Sequence, residues 1–120
     1  MRRLTNLEVS AYRAKLVSKQ GGRCVLCGNT ITGKVRGGAV LDHDHKTGVI
    51  RAALCRVCNS GEGKVLQAAI RYSGGADQAR GWLERIVKYY VLHEEHQTQY
   101  LYPEKKKPKK RKVKSIVETT

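Results

Sequence analysis

Two Cys-x-x-Cys pairs constrain this chain more than any other feature of its sequence. The first pair is Cys24 and Cys27, the second is Cys55 and Cys58, and 27 residues separate the two pairs. A spacing of two residues lets both thiolates of a pair bind one tetrahedral Zn²⁺, and two pairs supply all four ligands. Because a four-cysteine site leaves no open coordination position, we predict a structural zinc. Two separate buried or redox-active cysteine pairs are the alternative, which the doubled spacing disfavours.

The size and composition of the chain favour such a metal staple. The chain has 120 residues and no Phe, so it can build only a modest apolar core. The polar start Met-Arg-Arg-Leu-Thr-Asn does not resemble a signal peptide, and no apolar run reaches membrane-spanning length. We therefore expect no membrane association and a cytoplasmic location (the host cytoplasm for a phage-encoded protein), where thiols stay reduced.

The charge is strongly positive along the whole chain. The net charge is +14, of which residues 103–120 contribute +6 and the remainder +8. A basic body with a basic tail indicates a polyanionic partner, and nucleic acid is the usual one. Charge that only keeps the protein in solution is the alternative. We predict that residues 103–120 are disordered when free and contact DNA through Lys105, Lys106, Lys107, Lys109, Lys110, Arg111 and Lys112.

Local patterns predict an α+β fold that is mainly helical. Thr5 and Glu8 form a capping box that starts a helix with Leu7 on its apolar face, and two glycines end the helix at Gly21. Residues 30–38 are glycine-rich and are predicted to form an exposed loop. The remaining predicted elements are two strands that form a hairpin, 39–42 and 49–54, and two helices, 55–72 and 77–97.

The segment Asp42-His43-Asp44-His45 lies at the end of the predicted hairpin. Strand alternation directs the two aspartates to one face and the two histidines to the other, although the rule weakens at a turn. Asn59, in the first turn of the next helix, should lie near Asp42. An aspartate and an asparagine oxygen suit Mg²⁺, and a neighbouring histidine can take a proton from water. A solvated polar turn is equally compatible with these four residues alone, but the flanking cysteines, Asn59 and the basic body favour a catalytic centre.

The stretch LDHDHKTGVIRAALCRVCNSGEGK, residues 41–64, resembles the recombination endonuclease VII family of bacteriophages. These proteins are ββα-metal (His-Me finger) nucleases, and the family's founding enzyme resolves Holliday junctions as an intertwined dimer. The resemblance implies a zinc-stapled ββα-metal core and extends more weakly to about Pro103. Ala52 stands where the family usually has glycine, a change that should leave the strand intact. A basic segment follows Pro103, where the founding enzyme continues into a further helical domain.

The resemblance also implies a role for individual residues. Asp42 and Asn59 match the ligands of a catalytic Mg²⁺ or Mn²⁺, and His43 matches the general base that activates water. His45 matches a histidine that orients or contacts the scissile phosphate, and Glu62 an acidic residue near the metal.

Several further predictions concern DNA binding, assembly and activity. Lys46 and Arg51 are predicted DNA contacts. We expect a nuclease domain (1–75), a helical dimerisation segment (76–102) and a basic tail (103–120). The dimer interface should be an arc of the last helix that includes Trp82, Ile86, Tyr89, Tyr90 and His93. The predicted activity is magnesium-dependent cleavage of branched DNA. A relaxed nicking or homing-type endonuclease and a non-catalytic zinc DNA-binding protein are the alternatives.

Overall fold

The structure, a computed structural model, describes residues 1–104. The predicted tail contacts from Lys105 to Lys112, and the predicted disorder of most of that tail, therefore lie outside the described residues. In residues 1–104 the chain forms three α-helices and one two-stranded antiparallel sheet, which confirms the α+β class. The elements are α1 (Asn6–Lys19), a 3₁₀ turn (Val35–Gly37), β1 (Ala39–His43), β2 (Ile50–Cys55), α2 (Arg56–Ser73) and α3 (Ala76–Glu95).

Helix α1 begins at the predicted capping box. The Thr5 hydroxyl accepts from the Glu8 N–H at 3.3 Å, and the Glu8 carboxylate accepts from the Thr5 N–H at 3.0 Å. These two bonds satisfy orphan donors of the first turn. The prediction for Leu7 was wrong, since this side chain is 92% exposed. Leu16 and Val17, at the other end of α1, pack on the core instead.

Gln20 joins the end of α1 to the outer edge of β2. Its side-chain amide donates to the Ala53 carbonyl at 2.8 Å and accepts from the Ala53 N–H at 2.9 Å. Edge strands leave backbone groups without a partner, and here one side chain satisfies a donor and an acceptor together. The contact holds α1 beside the strand that ends at Cys55.

The hairpin forms as predicted, with a bulge that alternation does not predict. Asp42 pairs with Ala52 and His43 with Ile50, so the register shifts by one residue and leaves Arg51 without an opposite partner. A bulge of this kind bends a strand and redirects side chains. Here the extra residue is Arg51, which lies between the partners of Asp42 and His43.

The expectation that residues 30–38 form an exposed loop was wrong in part. Ile31 is only 2% exposed and belongs to the core, and its N–H donates to the Gly22 carbonyl at 2.9 Å. A chain without Phe has few large apolar side chains, so burying Ile31 adds core that the rest of the chain does not supply. The core joins Cys24, Ile31, Ala53, Leu54 and Cys55, and its members include two of the four cysteines.

Helices α2 and α3 extend away from this core. Gly74, with φ of +102°, ends α2 at the predicted break. The two helices contact each other, and each buries one alanine, Ala69 and Ala79, small residues that allow a close approach. None of the helices in residues 1–104 combines the length and the apolar character needed to cross a membrane. The division into residues 1–75, 76–102 and 103–120 stays a prediction.

Candidate zinc site and catalytic centre

The four predicted cysteines come together at one point. The Sγ atoms of Cys24, Cys27, Cys55 and Cys58 all lie within 4.8 Å of one another, and those of Cys27 and Cys55 are 3.9 Å apart. Tetrahedral zinc with Zn–S bonds of about 2.3 Å places its sulfurs about 3.8 Å apart. The cluster therefore has the donor set and the spacing that zinc requires.

Each cysteine pair is shaped by the backbone next to it. After the first pair, Gly28 adopts φ of +74° and donates to the Cys24 carbonyl at 2.9 Å, which closes a tight turn around the thiols. In the second pair, Cys55 is the N-cap of α2, and its Sγ accepts from the Cys58 N–H at 3.3 Å. One sulfur thus caps a helix and faces the other three thiols.

Arg36 places a positive charge against this cluster. It is the one non-glycine residue with positive φ (+50°) in residues 1–104, and its Nη2 lies 3.9 Å from the Cys58 Sγ. Burial raises the pKa of the Cys55 thiol. Hydrogen bonds from the Cys58 N–H and Arg36 outweigh burial and lower that pKa to about 6. Four thiolates around Zn²⁺ carry a net charge of about −2, and a guanidinium offsets part of it.

Asp42 lies at the centre of a charged cluster on the hairpin. It is 7% exposed, and its two carboxylate oxygens accept from Arg51 Nε at 2.7 Å and Nη2 at 2.9 Å. The same Nη2 lies 3.4 Å from Glu62 Oε1, so one guanidinium joins two carboxylates from β1 and α2. The pKa of Arg51 is raised, mainly because its side chain is hydrogen-bonded to Asp42. The structure thus brings together Asp42 and Glu62, two of the predicted site residues.

The two histidines lie side by side on the exposed face. The ring centroids of His43 and His45 are 5.0 Å apart and the rings are tilted by 45°. Both side chains are exposed, whereas that of Asp42, in β1, is buried. The arrangement agrees with the predicted alternation.

Asp44 organises the turn. Its Oδ1 accepts from the backbone N–H of Lys46 at 2.8 Å and of Thr47 at 2.9 Å. Hydrogen bonds from Thr47 and then Lys46 lower the pKa of this carboxyl. Its role is to hold the turn that follows the histidines.

Asn59 and Lys46, the remaining predicted residues, lie at the edges of this region. Asn59 is half-buried in the first turn of α2 and lies three residues before Glu62, which places both on one helix face. Lys46 is exposed in the turn. The oxygens of Asp42, Asn59 and Glu62 are the hard donors that Mg²⁺ or Mn²⁺ takes. Their roles stay predictions.

Three features of the site escaped the sequence reasoning. Gln20, Arg36 and the ion pairs of Arg51 all depend on contacts between distant parts of the chain. No capping, spacing or alternation pattern marks Gln20 or Arg36. Arg51 was predicted only as a DNA contact, and the structure pairs it with Asp42 and Glu62.

Comparison with known proteins agrees with this geometry. The family model described as recombination endonuclease VII matches residues 1–92. The chain is also 52% identical over 40 residues to the "Gene 59 protein" of Mycobacterium phage L5 and to that of Mycobacterium phage D29. The matched segment covers 33% of this chain and 23% of either relative, so the chain spans well under two thirds of their length. The family model spans most of the chain, including all four cysteines and the hairpin, and the protein therefore belongs to the recombination endonuclease VII family.

Proposed function

We propose that this protein is a magnesium-dependent endonuclease that hydrolyses phosphodiester bonds in branched DNA, with the four-way junction as its preferred substrate. The observations that carry the proposal are the two neighbouring imidazoles, His43 at the end of β1 and His45 in the turn after it, and the buried carboxylate of Asp42 in β1, in a chain of this nuclease family. A net charge of +14 supports a DNA substrate.

The proposed reaction assigns a separate task to each group. Asp42 and Asn59 would hold Mg²⁺ or Mn²⁺, with Glu62 nearby, and such an ion stabilises charge that develops on the phosphate oxygens. His43 takes the proton from the attacking water. His45, whose ring lies next to that of His43, orients the scissile phosphate.

The thiols and the remaining cations have roles outside the chemical step. Zinc at the four cysteines maintains the core beneath the hairpin and does not contact substrate. Lys46, at the exposed turn, would contact the DNA backbone. The proposed place of action, the host cytoplasm, follows from the reduced thiols that zinc binding requires.

Cleavage of plasmid and junction DNA tests this function. We expect purified protein to nick supercoiled plasmid with Mg²⁺ and to lose activity in EDTA. We expect a labelled four-way junction to be cut faster than a linear duplex of the same arm sequence. Equal rates on the two substrates would favour a relaxed nicking or homing-type enzyme. Binding without any cleavage would indicate a non-catalytic zinc protein.

We also propose that the protein acts as a homodimer through α3. Two large side chains of the predicted arc, Tyr89 and Tyr90, remain exposed on this helix, and Trp82 and Ile86 of the same arc are half-buried. An exposed apolar surface of this kind favours association, and two copies related by a two-fold axis would match the symmetry of a junction.

Light scattering at micromolar concentration tests this assembly. We expect a dimer for the wild type and a monomer for Tyr90→Glu, because Tyr90 is 64% exposed and the change should spare the fold. Lys88→Glu is the matched control, since residues two apart face different sides of a helix. A monomeric wild type would contradict the proposal.

A further inference from the structure

Arg51 binds the carboxylate oxygens that a catalytic metal at Asp42 would need. Its guanidinium binds both oxygens of Asp42, at 2.7 and 2.9 Å, and reaches Glu62 at 3.4 Å. These contacts link β1, β2 and α2, the three elements that carry the candidate catalytic residues. One cation of this chain thus neutralises two of the acids assigned to a divalent ion.

The bulge in the hairpin makes this contact possible. Asp42 lies opposite Ala52, and the residue next to Ala52 would ordinarily point to the other face of the sheet. Arg51 is the extra residue at the register shift, so its side chain escapes strict alternation and turns toward Asp42. The bulge therefore orients the Arg51 side chain toward the Asp42 carboxylate.

We infer that Arg51 and the divalent cation use Asp42 alternately, an inference that rests on the proposed nuclease function. Without metal, Arg51 holds Asp42 and Glu62 and prevents two nearby carboxylates from repelling each other. A divalent ion on the same oxygens would bring two positive groups into close contact. Arg51 therefore leaves Asp42 when the metal binds.

The released guanidinium can bind a DNA phosphate in the proposed complex. The Arg51 side chain is 40% exposed, so it reaches solvent and substrate without rearrangement of the core. A guanidinium presents paired N–H donors that match two phosphate oxygens as well as they match a carboxylate. Arg51 thus exchanges one bidentate partner for another and becomes a phosphate-binding residue.

This exchange predicts opposite effects of one substitution on metal binding and on cleavage. Arg51→Gln removes the internal competitor, so we expect Mn²⁺ to bind the zinc-loaded protein severalfold more tightly in the absence of DNA. The same variant should cleave DNA more slowly at saturating Mn²⁺, because the phosphate contact is lost. If Arg51 only stabilised the fold, its replacement by glutamine would not strengthen metal binding.

The full chain is titrated with Mn²⁺. Binding is measured by calorimetry and by the decrease in the electron paramagnetic resonance signal of free Mn²⁺. Lys64→Gln is the matched control, since it removes one exposed positive charge two residues from Glu62, and it should bind Mn²⁺ as the wild type does. Arg51→Lys keeps a charge without the bidentate geometry and should give an intermediate affinity. Asp42→Asn should abolish this binding.

Several outcomes would overturn the exchange. Equal or weaker Mn²⁺ binding by a folded Arg51→Gln protein would do so, as would wild-type Mn²⁺ binding by Asp42→Asn. Absence of Mn²⁺ binding in both wild type and Arg51→Gln would also overturn it. If no variant cleaves any DNA, the nuclease function fails, whereas the Mn²⁺ comparison still decides whether Arg51 competes for Asp42.

Discussion

Replacement of His43 by alanine is expected to abolish DNA cleavage while leaving DNA binding within a small factor of the wild type. The proposed base acts on the attacking water in the transition state, and its imidazole is one ring among many basic side chains. Loss of a general base costs roughly 10²- to 10⁴-fold in rate. Binding rests mainly on the many Lys and Arg side chains, which the substitution leaves in place.

Single-turnover cleavage of a four-way junction with Mg²⁺ measures the first effect, and fluorescence anisotropy in EDTA measures the second. His96→Ala is the matched control, because His96 lies at the end of α3, far along the chain from the hairpin. His45→Ala should cause a smaller loss, since that ring is assigned to orientation. Partial recovery of the His43→Ala activity by added imidazole would support proton transfer at this position. A His43→Ala protein that cuts at the wild-type rate would refute the assignment.

Replacement of Cys55 by serine is expected to unfold the protein. Cys55 lies in the core, its sulfur caps α2, and it is one of the four thiols of the zinc cluster. Structural zinc contributes on the order of 10 kcal/mol to folding, comparable to the whole stability of a small domain, about 5–15 kcal/mol. A serine hydroxyl is a poor zinc ligand, so this variant should lose both the metal and the cooperative thermal transition.

Zinc content by mass spectrometry and thermal denaturation by circular dichroism test this expectation. The wild type should contain one zinc per chain. Val57→Ser is the matched control, because Val57 lies in the first turn of α2 but its side chain is largely exposed. A Cys55→Ser protein that retains one zinc and the wild-type melting temperature would contradict the structural role.

Arg36 provides a graded test of the same site in a protein that still folds. Arg36→Gly relieves the positive φ of +50° and removes the charge near Cys58. We expect this variant to transfer zinc to a chelator faster than the wild type, and Arg36→Lys to be closer to the wild type. Slower or unchanged transfer in Arg36→Gly would mean that the guanidinium does not stabilise the zinc-bound thiolates.

Much of this protein is determined by short stretches of sequence. The cysteine spacing predicts the cluster, the Thr5–Glu8 box begins α1, Gly74 ends α2, and alternation places His43 beside His45. Apart from the meeting of the two cysteine pairs, each of these features depends on residues a few positions apart, whose geometry follows from backbone hydrogen bonds and side-chain direction. Local physics therefore determines them before the chain is folded.

Only the tertiary structure decided the contacts that complete the site. Gln20 binds Ala53 across 33 positions of sequence, Arg36 reaches Cys58 across 22, and Ile31 enters the core from a stretch that reads as a loop. Arg51 binds Asp42 because a bulge shifts the register by one residue, and alternation alone predicts the opposite side of the strand. These contacts form because groups that are distant in sequence pack into one small core or against an exposed strand edge. No short window of sequence therefore predicts them.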